Sequence, residues 1–221
     1  AFTEGGDTLY YTLTTERGIN GYAYDLKTDE QRILFALPFR QATMLWAKRD
    51  GNSHYVYTDP SGEVLGYLYR ITPAGLERIG GGFGLTSTVR DDEQSVLVGR
   101  TIEGGVRSGI LNQESGEEIT IGIPTFPSKC DFDSVSTTTL WCGASLTLPS
   151  GVYPDAWYQG IVLSNDILWQ VDTQSGQSIV AVSPEVRARE SIDVIDLTVS
   201  PDGAHVLFKN KKDDTLWLYT P

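Results

Sequence analysis

Residues 197–219 decide the fold of this chain and read LTVSPDGAHVLFKNKKDDTLWLY. The stretch contains three short apolar segments, separated by the turn sequence PDG at 201–203 and by a charged turn at 211–214. Short alternating segments bounded by Gly, Asp, Asn and Ser are typical of antiparallel strands. Gly203 supplies the positive φ that a tight hairpin turn requires. The stretch therefore predicts three antiparallel strands joined by tight turns.

This pattern repeats along the chain. Turns that join two short strands are marked by Asp50, Asp92, Ser136 and Asp202, which are separated by 42, 44 and 66 residues. A second unit, in which a short polar turn joins two further strands, occurs at 21–29, 66–75, 108–116, 167–176 and 215–219. Together the two units form a four-stranded meander of about 40–45 residues, which is the size of a propeller blade.

The repeat predicts an all-β fold, a β-propeller of four-stranded antiparallel blades in a single domain over 1–221. The chain holds about five blades, at approximately 1–40, 41–83, 84–126, 127–190 and 191–221. The first and last blades are incomplete, with three strands each, so that eighteen strands are expected in total. The chain forms either a five-bladed ring with imperfect closure or part of a larger ring. In the second case an upstream segment or another chain completes the ring, because open blade faces would otherwise leave apolar surface unprotected.

Residues 197–219 resemble the WD40-like PD40 repeat of TolB-type β-propellers. In the other copies the Ser-Pro-Asp-Gly sequence is replaced by KRDG at 48–51 and RDDE at 90–93. The segments 129–142, 153–160 and 192–202 more closely resemble uncharacterised membrane-anchored propellers of small host-dependent bacteria. This resemblance implies a propeller fold and an exported location in a bacterium, extracytoplasmic or at the cell surface. It implies no known activity.

The charge of the chain argues against two classes of partner. With 17 basic and 29 acidic residues, the formal net charge is −12. Nucleic acids and anionic lipids are bound by Lys and Arg, so neither is expected as a partner. No apolar run of 18 or more residues exists, and no direct membrane insertion is expected within this chain. The sequence begins at Ala1 rather than Met, and we expect that an export signal or anchor has been removed.

The two cysteines, Cys130 and Cys142, lie in one predicted hairpin. If its turn centres on Ser136, the two residues face each other across the strand pair. Opposite Cβ atoms of an antiparallel pair lie about 4.5–5.5 Å apart, close to disulfide reach. The register favours a disulfide and an oxidising compartment, whereas the alternative is two small buried thiols.

An insertion of about 22 residues, centred on 145–160, lengthens the fourth repeat. Long loops on a rigid scaffold often carry binding groups. We predict that Tyr153, Trp157 and Tyr158 form an aromatic platform for a sugar or a peptide, with Asp155 and Gln159 as polar anchors. The alternative is a loop that packs on itself and plugs the gap between blades.

Acidic residues also cluster near the predicted turns, at Asp91, Asp92, Asp131, Asp133, Asp193 and Asp196. Carboxylates around a central pocket could serve a glycoside hydrolase or lyase. Asp in turns, however, commonly bonds its own backbone. Calcium binding by Asp131 and Asp133 is a further hypothesis, although the residues of a calcium loop do not follow them. No catalytic, metal or cofactor motif is present, so we predict no catalytic residue, no metal and no cofactor.

The sequence therefore favours an extracytoplasmic, non-enzymatic binding or scaffolding propeller that recognises a protein or glycan partner. One alternative is a propeller glycoside hydrolase or lyase that uses carboxylates of the central pocket. The other is a purely structural subunit that another chain completes.

Overall fold

The computed structural model describes residue 1 and residues 5–46, 54–72, 74–91, 94–103 and 105–221. The predicted turn residues Asp50 and Asp92 lie outside these ranges. The described residues form eighteen strands. The strands are β1 (Thr8–Thr15), β2 (Gly18–Asp25), β3 (Glu30–Leu37), β4 (Ala42–Trp46), β5 (His54–Thr58), β6 (Leu65–Thr72), β7 (Gly75–Phe83), β8 (Thr86–Val89), β9 (Ser95–Ile102), β10 (Gly105–Asn112), β11 (Glu118–Thr120), β12 (Cys130–Phe132), β13 (Thr139–Ala144), β14 (Ile167–Asp172), β15 (Ser178–Val182), β16 (Val194–Val199), β17 (Val206–Asn210) and β18 (Leu216–Tyr219).

The strands form five antiparallel sheets, each with its strands in chain order. Blade 1 is β1–β3, blade 2 is β4–β7, blade 3 is β8–β11, blade 4 is β12–β15 and blade 5 is β16–β18. The predicted fold class is confirmed, since the protein is an all-β propeller ring of five blades with three or four strands each. Three short helical segments accompany the strands: a 3-10 turn at Pro127–Lys129, α1 at Asp155–Tyr158 and α2 at Pro184–Ala188. No helix in the described ranges has the length and apolar character needed to cross a bilayer.

A recurring turn explains why the second unit of the repeat is recognisable in the sequence. In three blades, an Asp or Asn at the end of the last strand but one accepts hydrogen bonds from two backbone amides that follow it. These residues are Asp25, Asn112 and Asp172. Four positions later the chain takes a positive φ, which Gly116 and Gly176 adopt without steric cost. The short polar side chain and the glycine therefore set the turn that returns the chain along the blade.

The hydrophobic core lies between the blades. Each of the four largest clusters joins two consecutive blades, because the sheets bury their faces only against each other. Between blades 3 and 4, for example, Leu97 and Ile110 pack with Phe132 and Leu140. Both end blades also carry exposed apolar side chains, since Ile33 in blade 1 is 59% exposed and Leu216 in blade 5 is 65% exposed. The hypothesis of a structural subunit completed by another chain stays a prediction.

The predicted hairpin in blade 4 is confirmed residue by residue. Cys130 pairs with Cys142 across β12 and β13, and Phe132 pairs with Leu140. The two cysteines form a disulfide, with their Cα atoms 4.1 Å apart. The bond lies in the core between blades 3 and 4.

Candidate functional site

The inserted segment of blade 4 crosses to neighbouring blades. It joins β13 to β14, the second and third strands of the blade, and contains α1. The Asp155 carboxylate accepts a hydrogen bond of 2.6 Å from the backbone amide of Gly62, in the corresponding loop of blade 2. The Thr101 hydroxyl, at the end of β9 in blade 3, donates to the Tyr153 carbonyl. The segment is therefore fixed to two other blades at the rim where these loops meet.

The five residues that we predicted as a binding platform occupy different environments. Tyr153 and Trp157 are each 1% exposed, and both pack against Phe126. The rings of Phe126 and Trp157 stack with their centroids 5.0 Å apart. Asp155 bonds blade 2 as described, whereas Tyr158 and Gln159 lie at the surface. Tyr153 and Trp157 thus occupy the positions expected of a plug, and a binding role for the five residues stays a prediction.

Beneath the inserted segment lies a buried network of charges. The Lys129 ammonium donates hydrogen bonds of 2.6 Å to Ser164, to Asp166 Oδ2 and to Asp193 Oδ1. The side chains of Lys129, Asp166 and Asp193 are at most 2% exposed. Trp157 Nε1 donates to the Asp193 carboxylate at 2.9 Å, and its ring centroid lies 4.7 Å from the ammonium nitrogen. The network connects blades 4 and 5 to the inserted segment.

The two carboxylates of the network differ in their electrostatics. Burial raises the pKa of Asp193, but the Lys129 ammonium and the hydrogen bonds from Lys129, Trp157 and Ser164 outweigh it and hold that pKa below its usual value. For Asp166, burial dominates over Lys129 and raises the pKa. Asp166 Oδ1 also has no hydrogen-bond partner. Asp193 is therefore a satisfied anion, and Asp166 is only partly satisfied.

The network does not suit nucleophilic catalysis. Ser164 bonds the Lys129 amine, but a serine nucleophile requires a neutral amine as its base. Here the Lys129 nitrogen donates to Ser164, and the Ser164 hydroxyl donates to Asp193 rather than to the lysine. The network thus serves to fix the inserted segment on the ring.

Three other carboxylates that we singled out lie in blades 4 and 5 and bond residues of those two blades. Asp131 Oδ2 accepts from the backbone amide of Val199 at 3.0 Å. Asp133 accepts from two amides of its own turn, at 2.8 Å each. Asp196 lies 3.6 Å from Lys209 in an exposed ion pair. No group of three His, Cys, Asp or Glu side chains within the described ranges is placed to hold a metal ion. The glycosidase and calcium hypotheses therefore gain no geometric support from these residues.

A cavity lies between blades 3 and 4, and we call it the Trp169 groove. Its volume is about 440 Å³. It is lined by Ile123, Pro124, Ser145, Leu146, Trp169 and Ser178, with further small polar residues at its ends. Trp169 presents a partly exposed ring, while its Nε1 donates to the Ala144 carbonyl at 3.0 Å. The Ser178 hydroxyl is buried without a hydrogen-bond partner. The groove combines apolar surface with an unused polar group, which is the composition of ligand pockets.

A second cavity, of about 140 Å³, adjoins the groove and shares Ser145 and Leu146 with it. Its charged lining consists of Asp166, Glu185 and Glu190, and we call it the acidic cavity. Neither cavity was predicted from the sequence. Trp169 was recognised only as part of a strand, and the residues of the acidic cavity come from three separate segments around blade 4. No local motif identifies such a site, because these segments meet only in the folded protein.

Comparisons with known proteins support this fold and extend no further. No family model matches the sequence, and no curated protein matches it. Solved structures do match it. TolB from Acinetobacter baumannii is 14% identical, with a TM-score of 0.63, over 99% of this chain and 50% of that chain. A putative TolB from Agrobacterium tumefaciens is 10% identical, with a TM-score of 0.63, over 98% of this chain and 78% of that one.

A third similar structure is the β-propeller domain of the Trilobed protease from Pyrococcus furiosus. It is 15% identical, with a TM-score of 0.60, over 99% of this chain and 67% of that chain. The protein is thus a β-propeller with a TolB-like fold, as the resemblance of residues 197–219 implied. This chain spans only half the length of the Acinetobacter TolB chain. At these identities the likeness concerns the fold alone.

Proposed function

We propose that this chain is an extracytoplasmic, non-enzymatic binding propeller that recognises a segment of a protein partner in the Trp169 groove. The observation that carries the proposal is the groove itself, a cavity of about 440 Å³ between two blades. Cavities of roughly 300–1,000 Å³ with apolar walls and few polar groups are typical of binding sites. The groove falls in this range and opens at the surface beside Leu146, which is 70% exposed.

The lining favours a peptide over a sugar. Ile123, Pro124 and Leu146 add aliphatic surface to the ring of Trp169, and such surface matches apolar side chains. Gly122 and Gly176 add no side chains to the groove, and their amides are already bonded, since Gly122 donates to the Gly176 carbonyl at 3.3 Å and Gly176 donates to the Asp172 carbonyl at 2.8 Å. The buried Ser178 hydroxyl has no hydrogen-bond partner. The apolar lining therefore supports a short segment with apolar side chains as the ligand.

The disulfide between Cys130 and Cys142 supports the proposed location. Disulfides persist in oxidising compartments and are rare in the cytosol of most organisms. Together with the resemblance to exported bacterial propellers, this bond supports an extracytoplasmic or cell-surface location.

The proposal is tested with random peptides displayed on phage and selected against the immobilised protein. An enriched peptide is then titrated against the wild type, Leu146→Arg and Leu13→Arg. Leu146 lies at the groove, whereas Leu13 is a matched control, half exposed in blade 1. We expect Leu146→Arg to weaken binding by about tenfold or more, because the longer side chain enters the groove. The Leu13→Arg variant should bind as the wild type does.

Two results would contradict the proposal. One is a selection that enriches no peptide while an array of glycans binds the protein, which would make the ligand a sugar. The other is equal binding of the enriched peptide to the wild type and to Leu146→Arg, which would place the site elsewhere on the propeller.

A further inference from the structure

We propose that the acidic cavity binds the positively charged side chain, lysine or arginine, of the peptide that occupies the Trp169 groove. This inference rests on the proposed function and specifies its ligand. The two cavities meet at Ser145 and Leu146, which line both of them. A peptide in the groove can therefore direct one side chain past Leu146 into the acidic cavity.

An unused buried oxygen marks the cavity as a site for a hydrogen-bond donor. Asp166 lines the cavity, and its side chain is 1% exposed. Its Oδ2 accepts from Lys129 and from the Val194 amide, while Oδ1 has no partner. A buried acceptor without a donor is costly, and a ligand that supplies the N–H recovers that free energy. Lysine offers three such donors and arginine five.

The charges around the cavity favour a cation. Glu185 and Glu190 contribute two exposed carboxylates, and within the described residues neither forms an ion pair. One positive charge is already present at the wall, since the Lys212 ammonium bonds Asn165 at 2.6 Å and also bonds Ser191. The nearby helix α2 carries Arg187, and Arg189 follows it, both exposed. Asp166 is paired with Lys129 at 2.6 Å, so the lining carboxylates without an ion pair among the described residues are those of Glu185 and Glu190.

The size and spacing of the lining favour an organic cation over a metal ion. About 140 Å³ holds a single ammonium or guanidinium head group and is well below the volume of typical cavities for larger ligands. The three carboxylates are not grouped closely enough to form a metal site. A lysine or arginine side chain spreads its donors over several atoms, so it can reach separate acceptors.

The test uses N-acetyl-lysine N-methylamide as the probe and its uncharged norleucine analogue as the control ligand. Binding is followed by the amide NMR signals of Glu185, Glu190 and Val194 during titration. We expect the lysine probe to shift these signals and the norleucine analogue to leave them unchanged. In the Glu185→Gln/Glu190→Gln variant the affinity for the lysine probe should fall by about tenfold or more. The matched variant Glu16→Gln/Glu63→Gln removes two exposed charges on blades 1 and 2 and should bind as the wild type does.

Three outcomes would overturn the inference. The norleucine analogue could shift the same signals equally, or the Glu185→Gln/Glu190→Gln variant could bind the lysine probe unchanged. Calcium chloride could also shift the same signals and displace the probe, which would indicate a metal site. A selected peptide distinguishes failure of this inference from failure of the proposed function. If the peptide loses affinity in Leu146→Arg but keeps it in Glu185→Gln/Glu190→Gln, the groove binds the peptide and the acidic cavity does not bind its charge.

Discussion

Two of the three tryptophans of blade 4 lie in contrasting environments, one in the inserted segment and one in the groove. Trp157 is 1% exposed, stacks on Phe126 and donates its N–H to the Asp193 carboxylate. Trp169 is partly exposed and presents a ring face to a cavity of about 440 Å³. Trp157 lies in an insertion, where binding residues are often found, yet it is part of the core. Trp169 lies in an ordinary strand of the repeat, yet it lines a cavity between blades 3 and 4.

The polar groups of the two regions differ in the same way. On the side of the inserted segment, Asp193 accepts hydrogen bonds from Lys129, Trp157 and Ser164. On the side of the cavities, Asp166 Oδ1 and the Ser178 hydroxyl have no partners. Satisfied buried groups fix a structure, whereas unsatisfied ones at a cavity indicate a ligand. Hydrogen-bond satisfaction therefore distinguishes the two regions better than residue type does.

The largest effect on stability is expected from Trp157→Ala, and the comparison with Trp169→Ala distinguishes the two tryptophans. Trp157→Ala should lower the free energy of unfolding by about 3–5 kcal/mol, because it leaves a cavity in the core and removes a donor to Asp193. Trp169→Ala should cost less, since its ring is already partly exposed, but it should abolish binding of a peptide selected on the groove. Urea denaturation of the two variants and the wild type measures the difference.

The contrast between the tryptophans would fail if Trp157→Ala unfolded at the same urea concentration as the wild type. The inserted segment would then be a loosely held loop, and its aromatic residues would return as candidates for a binding platform.

The disulfide lies between the two regions, and its removal should have the next largest effect on stability. Cys130 directly follows Lys129 of the buried network, and the bond packs in the core beside the groove. A disulfide that closes a loop of 12 residues stabilises the fold by about 3 kcal/mol in the chain-entropy description. The Cys130→Ser/Cys142→Ser variant and the reduced wild type should therefore both lose about this much stability in urea. Labelling of two thiols by a maleimide in denaturant without reductant would show instead that the bond does not form.

The sequence predicted the blades because each repeat carries its own local signals. Residues such as Gly203, Asn112 and Asp172 set turns by their backbone preferences, and these preferences act within a few residues. The hairpin register of Cys130 and Cys142 was predictable for the same reason, since a turn fixes the pairing of the strands that it joins.

The site was not predictable, because its parts meet only in the folded ring. Asp166 follows Lys129 by 37 residues, and Asp193 follows Lys129 by 64 residues. Nothing in their local sequence links them. Tyr153 and Trp157 showed a further limit. An aromatic residue in an insertion is compatible with binding and with burial, and only its contacts decide between them.

The smallest effect on stability is expected from Asp166→Asn, which changes one of the two carboxylates bonded to Lys129. Asp166→Asn keeps an oxygen for Lys129 and for the Val194 amide, and Lys129 keeps its ion pair with Asp193, so the change in stability near pH 7 should be about 1 kcal/mol or less rather than the about 3–5 kcal/mol of a buried pair that loses its only partner. Because burial raises the pKa of Asp166, the folded protein binds a proton there at a higher pH than the unfolded chain, whose carboxyl titrates near 3.9. The contribution of Asp166 to the free energy of unfolding therefore becomes more favourable as the pH falls. Asp193, whose pKa is lowered, makes a stabilising contribution that is lost as the pH falls through its folded pKa. Urea denaturation at about pH 7 and about pH 5 should show any advantage of Asp166→Asn over the wild type shrinking at the lower pH. An advantage that grew on acidification would mean instead that Asp166 is a satisfied anion like Asp193.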